Sequence, residues 1–372
     1  MNPDYHCTFQ YRSELEKRGW KVRIYVAPEY PRKILYTDEQ IISFLGKKKS
    51  INAARLKYLV WLTLNIHRYH FILFYGRPMR FPMQKIFKVQ TFFGNIIFFP
   101  ELLICKLARR KVIYLPSGCR DEFLKEKFGK FDNGNVCNNC GIENICNDKE
   151  NKVFIDVMKR NSKMIIGQGY YKRSEFVLTS IPWKSIDLDL WHPNIELPPH
   201  IPQLRKHRDT ILILHSTALE NRNSLPRNIK GSQFIEDAVL KLKNEGFNCE
   251  LISVRGIESK EMRFYQVQAD IIVDQLIYGS WGSTTIESLA LGKPTICYLR
   301  SEWKDHYLES FGLTELPIIG AGTDSIYIHL KELLMSEIFR RDIGVKSRLF
   351  AEKMFDVSKN VDSFIKELNL IA

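Results

Sequence analysis

No Asp or Glu occurs from Gln40 to Pro100, although ten Lys and Arg residues fall in that stretch. A segment with cations and no anions is unsuited to cationic partners and open to anionic ones. Long apolar runs are also lacking. A spanning helix needs roughly 18 apolar residues or more. Residues 58–76 come nearest, but Asn65, His67, Arg68 and His70 interrupt them. The first residues, MNPDYHCTFQYRSELEKRGW, have no apolar centre and so do not read as a signal peptide. The expectation is a cytoplasmic protein, peripheral at the inner face of the cell membrane. There is no internal repeat and no low-complexity tract, which excludes solenoids and disordered tails.

What is present is ordinary globular composition, unevenly charged. The 372 residues are 45% hydrophobic and 26% charged, enough for two domains with separate cores. Residues 1–200 carry 33 Lys/Arg against 19 Asp/Glu, and residues 201–372 carry 22 against 23, so nearly all of the +13 net charge lies in the first half. The acid-free stretch interleaves aromatics such as Trp61, Tyr69, Phe71, Phe87 and Phe92 with its cations. Basic charge with aromatic bulk suits an anionic membrane surface or a lipid-linked substrate. A solvated basic face over ordinary core strands and a nucleic-acid surface are the competing readings.

Of the eight cysteines, all but Cys7 fall into two groups. Cys105, Cys249 and Cys297 sit in apolar contexts and read as buried small hydrophobes. Cys119, Cys137, Cys140 and Cys146 share one polar segment, with a C-x2-C pair at 137 and 140. Four thiolates with one such pair suit a structural zinc ion, an iron–sulfur cluster being the alternative donor use and free or redox-active thiols the third. Disulfides are disfavoured because nothing marks the chain for export. No His or carboxylate pairs with a nucleophilic cysteine, so no catalytic metal is expected.

Along the chain, apolar strands alternate with helices, the pattern of a doubly wound α/β sheet. Strands are expected at 22–26, 71–75, 112–115, 164–167 and 175–178, with helices at 9–18, 51–64 and 102–108. The cysteine segment, 117–150, reads as an insertion. Pro193, Pro198, Pro199 and Pro202 then exclude helix and central strand and mark a linker. The rhythm restarts with strands at 210–215, 249–254, 269–275 and 295–299 and helices at 231–244, 262–267 and 284–291. The expected division is a first Rossmann-like domain (1–190), a linker (191–207), a second domain (208–355) and a C-terminal helix (356–372) that packs back toward the first. The opening on a helix is unusual for such a domain; either its first strand is absent or the true start lies upstream.

Residues 268–299, QADIIVDQLIYGSWGSTTIESLALGKPTICYL, carry the most chemistry. A buried strand enters a turn with Gly279 and Gly282, and the turn opens a helix bearing Glu287. Backbone N–H groups at a helix N-terminus after a parallel strand make a phosphate site. A carboxylate one turn on accepts hydrogen bonds from sugar hydroxyls. The combination points to a nucleotide-sugar site.

These residues resemble the GT-B glycosyltransferases, closest to glycosyltransferase family 4. The family's element runs E-G-F-G, a short stretch, then E-A-x-A-x-G-x-P. Gly282, Glu287, Ala290, Gly292 and Pro294 match it. The resemblance implies that Glu287 holds the ribose and that Ser283, Thr284 and Thr285 hold the diphosphate. The family's other glutamate, eight positions earlier beside the transferred sugar, is Gly279 here. Lys230-Gly231, after the small-residue turn around Ser216, is similar to the family's Lys-Gly element and implies that Lys230 neutralises the leaving diphosphate. Arg222 and Arg227 are expected to assist, and Arg255 to line the nucleobase pocket. In the first half, the family's frequent histidine is missing from the loop 116–121, where Asp121 is the candidate general base. Asp187 and Trp191 are similar to the element preceding the family's linker.

The resemblance therefore implies two Rossmann-like domains facing across a cleft. It implies transfer of a hexose, with retention, from a UDP- or GDP-linked donor to a saccharide or lipid-linked acceptor of cell-surface polysaccharide or lipopolysaccharide synthesis. A sugar-nucleotide epimerase or phosphorylase on the same fold is the alternative enzyme. A basic zinc-containing nucleic-acid-binding protein is the alternative from another class.

Overall fold

A computed structural model describes residues 6–26, 41–43, 51–78, 99–116, 119–122, 125–130, 135–138, 146–166, 183–217 and 230–372. The expected strand at 175–178, Arg222, Arg227 and Cys140 lie outside these residues.

In the first half, β3 (Phe71–Tyr75), β4 (Lys111–Leu115) and β5 (Met164–Ile165) form one parallel sheet in the order β3-β4-β5. The register pairs Phe71 with Lys111 and Ile113 with Met164. β1 (Ile24–Val26) and β2 (Ile41–Ser43) pair separately, also in parallel. Side chains alternate across a strand, so β4 serves two cores. Ile113 and Leu115 pack with Tyr11 and Leu15 of α1 (His6–Lys17). Val112 and Tyr114 pack with Tyr58 and Leu62 of α2 (Ile51–Asn65), Leu102 of α3 (Pro100–Leu107) and Phe154 of α7 (Asp148–Asn161). Among the described residues between β4 and α7 are three four-residue helical turns: α4 (Cys119–Glu122), α5 (Lys125–Phe128) and α6 (Asn135–Asn138).

The second half holds β6 (Ile211–Thr217), β7 (Cys249–Arg255), β8 (Ile271–Val273) and β9 (Thr295–Ile296) in the order β7-β6-β8-β9, all parallel. Ile213 aligns with Ile271, and Ile272 with Thr295. Strands buried on both faces read as continuous apolar runs, which is why ILIL and IIV mark this sheet. One face carries α8 (Ser232–Asn244) and α12 (Ile326–Met335), through Ile235, Val239, Leu330 and Leu333. α9 (Met262–Gln266) packs on the other face near Leu214 and Ile272. A second cluster joins α10 (Ser283–Ala290), α11 (Ser301–Phe311) and α13 (Glu337–Met354) around Trp281, Trp303 and Phe350.

Two segments connect the halves. Residues 183–209 carry no helix, as four prolines require. Within them, Ile186 N–H donates to Phe355 O (2.7 Å) and Val357 N–H to Ile186 O (3.1 Å). α14 (Val357–Leu370) then lies on α1 and the first sheet through Val361, Phe364 and Leu368. Arg18 Nε ties it down at Asp362 Oδ1 (2.6 Å). The chain thus ends on the half where it began.

α13 crosses the turn after α10 very closely. A Cβ at Gly344 would lie 2.5 Å from the carbonyl oxygen of Gly292, a backbone atom that cannot rotate away. Arg348, one turn on, reinforces the contact by donating to Ala290 O (2.6 Å) and Trp191 O (2.8 Å). Gly344→Ala is expected to destabilise the protein by about 1–3 kcal/mol through overpacking, measured as the shift in the urea unfolding midpoint.

Candidate functional site

The site lies at the C-terminal ends of β6 and β8, where parallel α/β sheets present their turns to ligands. Its elements are His215 and Ser216 of β6, the Lys230–Ser232 turn that opens α8, Asp274 just beyond β8, and the N-terminus of α10.

Asp274 organises the site. It has no solvent exposure. Gly282 N–H (2.9 Å) and the Thr285 hydroxyl (2.7 Å) donate to its Oδ2, and Lys230 Nζ donates to its Oδ1. Burial pushes a carboxyl up, but Lys230, Thr285 and Gly282 together outweigh it and hold Asp274 below the usual carboxylate range. The carboxylate approaches the α10 N-terminus so closely that a Cβ at Gly282 would lie 3.1 Å from Oδ2. Gly231 adopts φ +73°, and Leu276 N–H bonds Lys230 O (3.1 Å), so the two turns are joined through backbone as well.

His215 is buried under the same turns. Its Nδ1 faces Val273 O (2.9 Å), a carbonyl that only accepts, so Nδ1 carries the proton. Nε2 then accepts from the Ser232 hydroxyl (2.8 Å) at the start of α8. Burial, with the nearby Lys230 charge, pushes its pKa down to about 4. His215 is therefore a neutral strut at pH 7. Ser216 Oγ lies 3.3 Å from Thr284 Oγ1, joining β6 to α10.

Glu287 sits one turn into α10, buried, and accepts from Gln266 Nε2 (2.7 Å) of α9. Burial raises its pKa to about 7; Gln266 offsets this in part, and the Asp274 charge adds to it. An acid whose folded pKa lies above its ordinary 4.5 is disfavoured in the charged form by the fold.

The sequence-derived residues are partly gathered. Lys230, Gly282, Ser283, Thr284, Thr285, Glu287 and Ser216 converge around Asp274, and Ser283 and Thr284 keep partial exposure. Arg255 ends β7, exposed, opposite Thr217 of β6. Asp121 lies in the first half. It is buried, and its Oδ1 is paired with Arg77 Nε (2.7 Å). Arg77 in turn donates to Asn151 Oδ1 (2.8 Å) and lies over the Phe154 ring. Cys119, Cys137 and Cys146 are partly exposed. Among the described residues no group of three or more His, Cys, Asp or Glu side chains is placed to hold a metal. Among them, too, no helix is long and apolar enough to cross a membrane.

Sequence reading missed Asp274, His215 and Gln266. The signal for Asp274 was a single carboxylate ending the apolar run ADIIVD, at the sheet edge where ligands bind. His215 and Gln266 carry no local signal, because their partners are 17 to 58 residues away. Gly279 has a physical account. Its φ is +80°, and a Cβ there would lie 2.3 Å from Cγ of Arg300, which is buried against it. No side chain fits at the position where the resembled family keeps a glutamate.

A scan of protein-family models finds no match, and no curated protein matches the chain. Solved structures do match. Sucrose-phosphate synthase from Thermosynechococcus elongatus is 12% identical, with a TM-score of 0.61, covering 98% of this chain and 92% of that one. A glycosyltransferase from Rickettsia africae is 12% identical, with a TM-score of 0.56, covering 97% and 93%. Anabaena HepE, in a complex with UDP and glucose, is 12% identical, with a TM-score of 0.54, covering 88% and 86%. The protein has a GT-B glycosyltransferase fold.

The Glu287 shift has a testable sign. Between pH 4.5 and about 7 the folded state holds a proton that the unfolded state has lost, so stability falls as pH rises through that window. Glu287→Gln keeps the bond from Gln266 and removes the titration. Its thermal midpoint is expected to match the wild type near pH 4.5 and to exceed it by a few degrees at pH 8. An offset that does not change with pH would contradict the shift.

Proposed function

We propose that the protein transfers a sugar from a nucleoside-diphosphate donor, UDP- or GDP-linked, to an acceptor hydroxyl. The observation that carries this reading is the joining of Lys230 and the α10 N-terminus through Asp274 at one sheet edge, with Glu287 one turn on in the same helix. Helix N–H groups and an ammonium suit a diphosphate leaving group, and electrostatic stabilisation of that charge is the largest lever in group transfer. Glu287 with Gln266 suits the ribose hydroxyls, and Arg255 the nucleobase side. HepE's complex with UDP and glucose on the same fold supports the donor class.

The domain division belongs to the same proposal: donor binding in residues 208–355, acceptor binding in residues 1–190, and the linker at 191–207. The first half holds the positive charge, which supports an anionic acceptor, a saccharide or lipid-linked intermediate of cell-surface polysaccharide synthesis at the inner membrane face. Asp121 is proposed to act as base on that side, and Arg222 to assist Lys230. Retention of configuration and hexosyl transfer complete the assignment. A zinc ion on Cys119, Cys137, Cys140 and Cys146 is proposed as a structural element of the first half.

A panel of nucleotide sugars scored by thermal shift tests the donor reading. A UDP- or GDP-sugar is expected to raise the midpoint, and oligonucleotides to leave it unchanged. Lys230→Ala is expected to lower turnover at least about a hundredfold, the size of one lost cationic contact to the leaving group. Full turnover in that variant would remove Lys230 from the mechanism. Conversion of the donor with no acceptor present would mark an epimerase instead. Elemental analysis of the purified protein is expected to find one zinc per chain, and its absence would overturn the zinc assignment.

A further inference from the structure

Asp274 poses a problem for any diphosphate site. A protein anion already occupies the N-terminus of α10, taking the Gly282 N–H, the Thr285 hydroxyl and the Lys230 ammonium. Those three donor types are what a phosphate oxygen would seek at a helix N-terminus. The carboxylate is wholly buried, and the Lys230 side chain keeps only 13% exposure. Lysine and aspartate therefore act as one nearly neutral unit where α8 and α10 begin.

We propose that Asp274 is the resident counter-anion of the diphosphate site: it fixes Lys230 at the α10 N-terminus and limits how tightly the spent nucleoside diphosphate is held. The inference rests on the nucleotide reading above and gives Asp274, there only a link between turns, a role in how the product is held. Without a counter-anion, Lys230 and the helix N-terminus present uncompensated positive charge to donor and product alike. Binding ground state and product equally tightly does not speed transfer. With Asp274 in place, Lys230 shares its ammonium between the carboxylate and the phosphate, and contributes most where charge develops on the leaving group. Asp274 is a positioning residue: it acts through Lys230 and the α10 turn.

Isothermal titration with UDP and GDP, and with uridine and guanosine as uncharged controls, tests this. Asp274→Asn is expected to tighten the preferred nucleoside diphosphate about tenfold and to leave its nucleoside within twofold. The double variant Asp274→Asn/Lys230→Met removes both charges and leaves neither buried alone, which buried pairs commonly tolerate. It is expected to bind the diphosphate within threefold of the wild type while losing turnover at least a hundredfold. An Asp274→Asn protein that binds the diphosphate no better, or a double variant that loses a hundredfold in affinity, overturns the counter-anion role. The double variant decides the matter if the single one does not fold. Failure of the nucleotide reading shows separately, as a wild type that binds neither UDP nor GDP.

Discussion

A carboxylate without solvent must be met by donors or give up its charge. At Asp274 it is met by Lys230, Gly282 and Thr285. That requirement sets two turns that are distant in sequence. It brings the start of α8 to the end of β8 and sets the first turn of α10 beside it. Gly282 is a glycine because the carboxylate leaves little room for a Cβ. Gly231 is one because the turn needs a left-handed residue pressed on Leu276. His215 completes the arrangement from below, linking β8 to Ser232 as a neutral ring.

The same logic governs how the two halves are joined. Ile186 bonds through its backbone to Phe355 and Val357, on either side of Asp356, so the chain crosses between the halves twice at one place. Asp356 also caps α14, accepting from Ser358 N–H. α14 carries its apolar stripe, Val357, Val361, Phe364 and Leu368, onto the core of the first half. The fold thus has a shared seam that supports both sheets, while the C-terminal edge of the second sheet is shaped by the charged cluster.

Much of this was legible in the residues. Continuous apolar runs such as ILIL and IIV mark doubly covered parallel strands, and the strands of the second sheet fall where expected, whereas β2 at 41–43 was not expected. The prolines of 193–202 kept that segment free of helix. Gly282, Thr285 and Glu287 are legible as neighbours at one helix start because their spacing is local. Strand ends were less legible. β8 spans three residues and β9 two, shorter than the apolar runs suggested; after β8 the chain leaves the ladder at Asp274.

By itself the sequence determined the layered α/β class, the order of the elements, and the basic first half, since periodicity, proline and charge are properties of neighbouring residues. Only the tertiary structure decided that Lys230 meets a buried aspartate, that Glu287 is held by Gln266, and that Arg300 leaves no room for a side chain at position 279. Those facts depend on contacts between residues 21 to 44 positions apart, which the fold, and no local pattern, brings together.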